Sequence, residues 1–445
     1  MSLSDSLHTS FAYSSATRRL RTIAVILLVG AGCVNYLDRA AVAVAEPQIH
    51  QELKLSYDQL GVVLSAFAWS YGVAQIPAGT LIDRFGPRRI LGAGLILWSV
   101  AQIAATSVRS LGQFIAARVA LGLGESPMYI GGSRVCTDWY ALDQRALPIA
   151  IFNSSSGLAP ALAPPLLTWL MLAFGWRIMF LIAGLAGFAI AILWVALYRA
   201  PESASIPAAD LTEIRRQDSA NVQHVGFQQA LWLLRFPTSW GMFFGFFGVV
   251  YISWLYATWL PAYLENVRHQ SIASAGFWAA VPLGAGFLGA LGGGFIARAL
   301  DEHGLDAVTS CRMPTIAGLL AAGAFTLAGS ASGNLYVAIC LMACGLFAAN
   351  VSSSCGWALA AVIAPPNAVA TLEAIQNVGG SLGGALAPFL TGLLVQASGS
   401  FTPAFALAGG VSVVCALVYH VSTHRKISMP SSSSRDVEHL PRHSG

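Results

Sequence analysis

The sequence predicts an all-helical integral membrane protein with twelve transmembrane helices in two pseudo-symmetric bundles of six. Of its 445 residues 56% are hydrophobic and only 10% are charged, whereas soluble domains carry about a quarter charged residues. Apolar runs also recur that approach or exceed the roughly 20 residues a helix needs to cross a bilayer. So few charges could not cover the surface of a water-soluble fold, which excludes a soluble enzyme.

The predicted spans follow one another with short connections and one long polar interruption. They lie at 22–46, 57–82, 89–107, 111–136, 145–173, 176–198, 238–264, 272–299, 313–330, 334–363, 367–397 and 401–422. The interruption, a cytoplasmic central loop at 200–236, separates a first bundle at 22–199 from a second at 237–422. We expect 1–21 to be a cytoplasmic tail and the Ser-rich 423–445 to be disordered.

The two halves resemble each other at a constant offset of 224 residues (377 minus 153). The stretch from Asn153 to Pro164 matches the stretch from Asn377 to Pro388, and both fall in the fifth span of their half. Chance similarity between Ala/Leu-rich segments is the alternative. Internal duplication, with a site near the midplane between repeats, is typical of secondary transporters.

Basic residues are concentrated on one side of the predicted topology. They are Arg18, Arg19, Arg21, Arg84, Arg88, Arg89, Arg134, Arg145, Arg199, Arg215, Arg216, Arg235, Arg425 and Lys426. The alternate loops carry Lys54, Arg109 and Arg268. By the positive-inside rule both termini and the central loop are cytoplasmic, in a bacterial inner membrane.

Ionisable residues inside the spans are the candidates for chemistry. Asp38 and Arg39 lie within the first span, and Arg118 and Glu125 lie two turns apart on one face of the fourth. A charge at a helix centre costs about 2.5–3.5 kcal/mol, so such groups pair or line a water-filled path. Static salt bridges are the alternative to a functional role. The corresponding span of the second half, around 345–348, has no such charges.

These residue types suit the binding of protons and an anion. Asp38 and Glu125 can each take up a proton, because burial and a neighbouring arginine act on a carboxyl group in opposite directions. Arg39 and Arg118 stay charged, and a guanidinium offers a carboxylate two parallel hydrogen bonds.

The loop after the second span carries a specific pattern, G-x-L-x-D-R-x-G-x-R-R over 79–89. It resembles the signature loop of the major facilitator superfamily, which implies that fold and a gating role for this loop. The gating residues implied are Gly79, Asp83, Arg84, Gly86 and Arg88. The counterpart at 294–298 is degenerate and lacks the aspartate.

Further motifs resemble the anion:cation symporter family, specifically its galactonate, hexuronate and glucarate transporters. They are the segments 35–39, 65–69, 75–77, 118–127, 138–140 and 259–264. The resemblance implies proton-coupled uptake of an organic anion by alternating access, most often a sugar acid such as a hexuronate, aldonate or aldarate.

The resemblance also implies residue roles. Protons would bind Asp38 and Glu125, with Arg118 coupled to Glu125, and the substrate carboxylate would bind Arg39. The cavity would be lined by Tyr36, Tyr71, Gln75, Trp357 and Asn377.

The sequence departs from the galactonate transporters at two places. Ser156, with Asn153 nearby, stands where those relatives carry a glutamine, and this leaves the sugar open. Glu373 falls where they have small residues; close to a cytoplasmic helix end, it is assigned to the interface rather than to the site.

A proton-driven exporter or a carrier of another carboxylate, such as an aromatic acid, remains open. A sensor is disfavoured because the chain has no signalling domain. A membrane enzyme is disfavoured because no histidine-supported nucleophile or metal cluster is present. A G-x-x-x-x-G-K-[ST] loop for ATP is also missing. We expect a monomer in the lipid bilayer, without metal, cofactor or nucleic acid.

Overall fold

A computed structural model describes residues 13–141, 144–215, 232–365, 368–424 and 426–427. Their regular structure is helical. The helices are α1 (Ser15–Leu53), α2 (Tyr57–Phe85), α3 (Pro87–Ala104), α4 (Leu111–Glu125), α5 (Pro127–Trp139), α6 (Ala146–Leu197), α7 (Ala208–Arg215), α8 (Pro237–Asn266), α9 (Ile272–Glu302), α10 (Ala307–Ala331), α11 (Leu335–Ile363), α12 (Val369–Ser398) and α13 (Thr402–Ser422).

Ten helical segments of the described chain are long and apolar enough to cross a membrane, and two local breaks reconcile them with twelve spans. Helix α6 contains two spans, because the chain reverses at Gly175 (φ 82°), a conformation that glycine adopts without strain. The fourth span is divided into α4 and α5 at Pro127, which has no N–H to continue the helical hydrogen bonds. The predicted all-helical fold of twelve spans is confirmed.

Helix contacts are concentrated within two bundles that repeat one pattern. In the first bundle α1 packs on α6, with Gly32 of α1 close to Ser155 in the first part of α6, and in the second α8 packs on α12. The bundles meet through α2 with α12, α6 with α9, and α1 with α8. The first part of α6 and α12 contain the matched stretches at 153–164 and 377–388, so the repeated segments occupy equivalent places at the interface.

The bundles are in close contact at the end of the molecule away from both termini, which we call the closed end. Tyr57 packs against Trp259 (ring centroids 6.2 Å apart) and Phe401 (6.5 Å), both in the second bundle. Its backbone N–H donates to Gln396 at 3.1 Å, and the Ser65 hydroxyl donates to the Ala385 carbonyl at 2.7 Å. These contacts seal this end between α2 and α12.

Large apolar side chains are exposed along the outside of the helices. Ile26 (62% exposed), Trp169 (61%), Phe295 (76%) and Val421 (72%) are among them. Water would make this arrangement unfavourable, whereas lipid solvates it while each helix satisfies its own backbone hydrogen bonds. The outer surface therefore matches a bilayer.

The central connection is partly helical and rests on the start of α1. Asp210 in α7 accepts hydrogen bonds from the Thr17 hydroxyl (2.6 Å) and the Ser14 N–H (3.1 Å), which lower the pKa of its carboxyl. Most of the predicted tails, 1–12 and 428–445, and the stretch 216–231 lie outside the described residues.

Close backbone approach at the closed end predicts an effect of Gly61→Ala. A Cβ on Gly61 would lie 2.9 Å from the carbonyl oxygen of Pro388 in the other bundle. Overpacking costs about 1–3 kcal/mol, so contact between the bundles at this end should weaken about 5-fold to more than 100-fold. Double electron–electron resonance spectroscopy with spin labels at Ser107 and Gly333 should show a larger population of long distances between the two labels.

Gly112→Ala is the matched control, because a Cβ there meets no atom within 4 Å. Unchanged distances in Gly61→Ala would show that the bundles do not need this approach.

Candidate functional site

The four charged residues singled out in the spans converge between α1 and α4. The Arg39 Nε donates to the Glu125 Oε2 at 2.8 Å, with the Glu125 side chain fully buried and the Arg39 side chain 14% exposed. Glu125 is the last residue of α4, just before the break at Pro127, and its carboxylate reaches Arg39 on α1. The hydrogen-bonded partner of Glu125 is thus Arg39 rather than Arg118.

Asp38 and Arg118 lie in the same buried region. Asp38 is fully buried, and neither of its carboxylate oxygens has a hydrogen-bond partner among the described residues. Its electrostatic neighbours are Glu125 and Arg118. Arg118 is 3% exposed, and its Nε and Nη1 also lack a partner within the described part of the chain. Groups buried this way retain the capacity to bind something further.

Aromatic rings hold the two guanidinium groups. The Arg39 guanidinium carbon lies 4.7 Å from the Tyr71 ring centroid and 5.0 Å from those of Tyr36 and Phe67. That of Arg118 lies 4.9 Å from the Phe67 centroid. Cation–π attraction of about 0.5–2 kcal/mol per pair offsets part of the cost of desolvating these cations. Tyr36 and Tyr71, both predicted to be in the site, therefore contact Arg39.

A cavity of about 260 Å³ lies between the bundles, from Arg39 toward the closed end. Tyr36, Arg39 and Ser156 line it from the first bundle, as the sequence predicts for a central cavity. The second bundle contributes side chains with polar groups, those of Ser253, Trp254, Tyr256, Thr258 and Asn350. Arg39 is the one charged residue among the described residues that line it.

The other predicted lining residues lie on the opposite side of Arg39, toward the end that holds the termini. Gln75 accepts a hydrogen bond from the Asn377 Nδ2 at 3.4 Å, across the two bundles. Trp357 is 38% exposed and packs edge-on against Phe246, at 5.2 Å between centroids. Asn153 is exposed, and its backbone carbonyl accepts the Ser156 hydroxyl at 2.7 Å.

The signature loop is built around the turn at Gly86 between α2 and α3. Asp83 pairs with Arg134 of α5 at 3.2 Å, and Arg134 pairs in turn with Asp138 at 2.8 Å. The Arg88 guanidinium donates to the Val195 carbonyl at 3.1 Å.

The remaining predicted gating residues also lie within the first bundle. Arg84 lies over the Phe85 ring at 5.2 Å, and a Cβ on Gly79 would be 3.9 Å from Ile130 of α5. In this structure the loop therefore braces the helices of one bundle.

Sequence reasoning missed the second-bundle wall of the cavity. The sequence could have indicated Asn350, because burying an amide side chain within an apolar span costs free energy unless the amide forms hydrogen bonds. Ser253 and Trp254 lie in the apolar run of α8, and no pattern in the sequence distinguishes them as cavity-lining residues from their neighbours. Glu373 is half-buried in the second turn of α12. No group of three His, Cys, Asp or Glu side chains in the described ranges could hold a metal ion.

The buried pair predicts strong non-additivity in stability. Arg39→Met leaves Glu125 as an uncompensated buried charge, which costs about 3–5 kcal/mol, whereas the double variant Arg39→Met/Glu125→Gln removes both charges. We expect the melting temperature of the detergent-purified protein to fall sharply in the single variant and to recover for the most part in the double. Additive losses would contradict the pairing.

Comparison with known proteins shows which family this chain belongs to. The Major Facilitator Superfamily model matches residues 28–372. The chain is 35% identical to the probable L-galactonate transporter of Escherichia coli strain K12, over 94% of this chain and 92% of that protein. It is 31% identical to the D-galactonate transporter of Escherichia coli O6:H1 (strain CFT073), over 90% of this chain and 95% of that one.

A solved structure shares the fold. A bacterial homologue of the human lysosomal transporter Spinster, in an inward-facing, unoccupied conformation, matches with a TM-score of 0.71 and 19% identity, over 91% of this chain and 95% of that one. The chain belongs to the major facilitator superfamily and is a multi-pass membrane transporter, not an enzyme.

Proposed function

We propose that this transporter takes up a sugar acid together with protons, by alternating access across a bacterial inner membrane. The observation that carries the proposal is the position of Arg39, which pairs with buried Glu125 and also forms part of the cavity wall. A guanidinium in that place can bind either the protein carboxylate or the carboxylate of a substrate. The names of the two relatives, both galactonate transporters, support a sugar acid as that substrate.

The charge balance of the buried group supports proton coupling. With both carboxyl groups ionised, Asp38 and Glu125 balance Arg39 and Arg118 to a net charge of zero. A bound monoanion makes the group negative in a medium where an uncompensated charge is costly. One proton on Glu125 or Asp38 restores neutrality, so binding of the anion and of the proton favour each other.

The transport cycle follows from competition for Arg39. A proton from the periplasm neutralises Glu125 and releases Arg39, which then binds the substrate carboxylate through two hydrogen bonds. After the bundles rock, the substrate leaves toward the cytoplasm, Glu125 loses its proton, and the pair at 2.8 Å forms again. Arg39 thus exchanges one carboxylate partner for another, and the cavity is open to the periplasm while the substrate replaces Glu125. Arg118 stabilises the negative charge of Glu125, whereas the like charge of Asp38 favours a proton on one of the two carboxyl groups.

Alternating access requires two bodies, and we assign them to 22–199 and 237–422, joined through the central loop at 200–236. The signature loop, with Asp83 and Arg134, changes its contacts as the bundles rock. Gln75 and Asn377, which touch across the interface at 3.4 Å, line the substrate path on the side of the termini together with Trp357, Tyr71 and Asn153. Both termini are cytoplasmic in this assignment.

The direction of transport is tested with the purified protein in proteoliposomes of known orientation. Acid outside should drive accumulation of labelled galactonate, and collapse of the gradient with a protonophore should abolish it. Accumulation that requires acid on the cytoplasmic face would identify an exporter instead. A panel that includes aromatic carboxylates separates a sugar-acid carrier from a carrier of other acids.

The guanidinium geometry predicts a large effect of Arg39→Lys. Lysine keeps the charge but loses the planar fork, and a charge-assisted hydrogen bond contributes about 1.5–3 kcal/mol. Galactonate affinity should fall about 10- to 100-fold, measured by isothermal titration. Arg298→Lys is the matched control, because Arg298 forms a 2.8 Å pair with Glu302 on the surface. Equal affinities of wild type and Arg39→Lys would remove Arg39 from the site.

The competition for Arg39 predicts how pH acts on binding. Substrate binds when Glu125 carries its proton, so wild-type galactonate affinity should be greatest at low pH and fall as pH rises. Glu125→Gln mimics the protonated form and should weaken this pH dependence, leaving Asp38 as the remaining carboxyl of the group. The variant should exchange galactonate across the membrane yet no longer accumulate it against a gradient.

Glu302→Gln, in the exposed pair with Arg298, controls for the loss of a carboxylate elsewhere. A Glu125→Gln protein that still accumulates galactonate in response to a proton gradient would place the coupling on another residue.

A further inference from the structure

The cavity beyond Arg39 has a strongly asymmetric chemistry. Arg39 is the one charged side chain among its described lining residues. Its second-bundle wall offers neutral polar groups on Ser253, Tyr256, Thr258 and Asn350 and the indole of Trp254. One part of the cavity can therefore neutralise a carboxylate, whereas the wall from the other bundle can only form hydrogen bonds and apolar contacts.

The polar groups of that wall are already oriented by the protein. The hydroxyls of Ser253 and Thr258 donate to the carbonyls of Val249 (2.9 Å) and Trp254 (2.6 Å). Tyr256 and Thr326 share a hydrogen bond of 2.8 Å. Each hydroxyl oxygen keeps acceptor capacity, which suits the O–H groups of a polyol.

Asn350 is the most versatile of these groups and is held firmly. Its Nδ2 donates to the Leu346 carbonyl at 2.9 Å, and it packs so closely on α9 that a Cβ on Gly286 would lie 2.8 Å from Nδ2. The amide still offers its carbonyl oxygen and a second N–H. A fixed group that can both donate and accept hydrogen bonds can discriminate between substrates by the position of a hydroxyl.

Among the described lining residues, a second carboxylate finds no cation other than Arg39 to pair with. A buried, unpaired carboxylate is far more costly than a neutral hydroxyl that is hydrogen-bonded. The volume of about 260 Å³ is just below the 300–1,000 Å³ of typical ligand pockets, so the cavity suits one small ligand with little room for accompanying water. A terminal CH₂OH group fits the second-bundle wall, and a terminal carboxylate does not.

We propose that the cavity selects sugar acids with one carboxylate, such as aldonates, over aldarates, which carry a carboxylate at each end. The substrate carboxylate binds Arg39, and Asn350 forms hydrogen bonds with the hydroxyls toward the other end of the substrate. This inference rests on the proposed transport of a sugar acid and specifies the substrate class of the same site.

The test compares two ligands that differ at one carbon. D-Galactonate and galactarate share their hydroxyl pattern, with CH₂OH in the first replaced by a carboxylate in the second. Titration of the full-length purified protein at a fixed acid pH should give an affinity for galactonate at least about 100-fold higher, the ratio expected for an unpaired buried charge. Comparable affinities for both ligands would overturn the inference while leaving sugar-acid transport intact.

A gain-of-function variant makes the test sharper. Asn350→Lys places an ammonium group on the second-bundle wall and should improve galactarate affinity while weakening that for galactonate, changing their ratio by at least about 10-fold. Asn266→Lys is the matched control, since Asn266 is exposed at the end of α8, away from the cavity. An unchanged ratio in a folded Asn350→Lys protein would contradict the assigned orientation of the substrate.

A milder variant guards against loss of folding. Asn350→Ala removes one hydrogen bond to a hydroxyl, so galactonate affinity should fall about 3- to 10-fold while galactarate stays excluded. If neither ligand binds the wild-type protein but another carboxylate does, the proposed sugar-acid function fails, and this inference fails with it.

Discussion

The buried ion pair between Arg39 and Glu125 is the interaction on which the rest of the site depends. It joins α1 to the end of α4 within the first bundle, and the rings of Phe67 and Tyr71 lie 5.0 and 4.7 Å from the Arg39 guanidinium carbon. A pair in such surroundings is stable only while both partners are present, or while one of them is neutralised and the other finds a new partner. In the transport cycle that we propose, this constraint lets Arg39 bind the protein carboxylate and a substrate carboxylate in turn.

The packing of the bundles closes the site toward one end of the molecule. At the closed end α2 and α12 approach to the distance that Gly61 and Pro388 allow, with Tyr57, Trp259 and Phe401 in contact across the interface. Toward the termini these helices are joined by the longer hydrogen bond between Gln75 and Asn377, at 3.4 Å. A site sealed on one side exchanges with only one compartment at a time, which is the requirement for coupled transport.

The two bundles also differ in the chemistry of the residues that they present to the cavity. The first bundle contributes the ionisable group, and the second contributes a neutral wall centred on Asn350. Similar helices thus carry different side chains along the cavity: the charged Arg39 in the first bundle and neutral polar groups in the second. The helix packing is repeated in the two bundles, whereas the lining of the cavity is asymmetric.

The sequence by itself determined the membrane class, the span count, the paired halves and the identity of the buried charges, because composition, apolar length and charges within apolar runs are local properties of the chain. It also indicated Tyr36, Tyr71 and Ser156 near the site. Only the tertiary structure decided that Glu125 pairs with Arg39 rather than with Arg118, and that Asn350 lines the cavity. Partners on separate helices are set by how those helices rotate and pack against one another, and spacing along one helix does not contain that information.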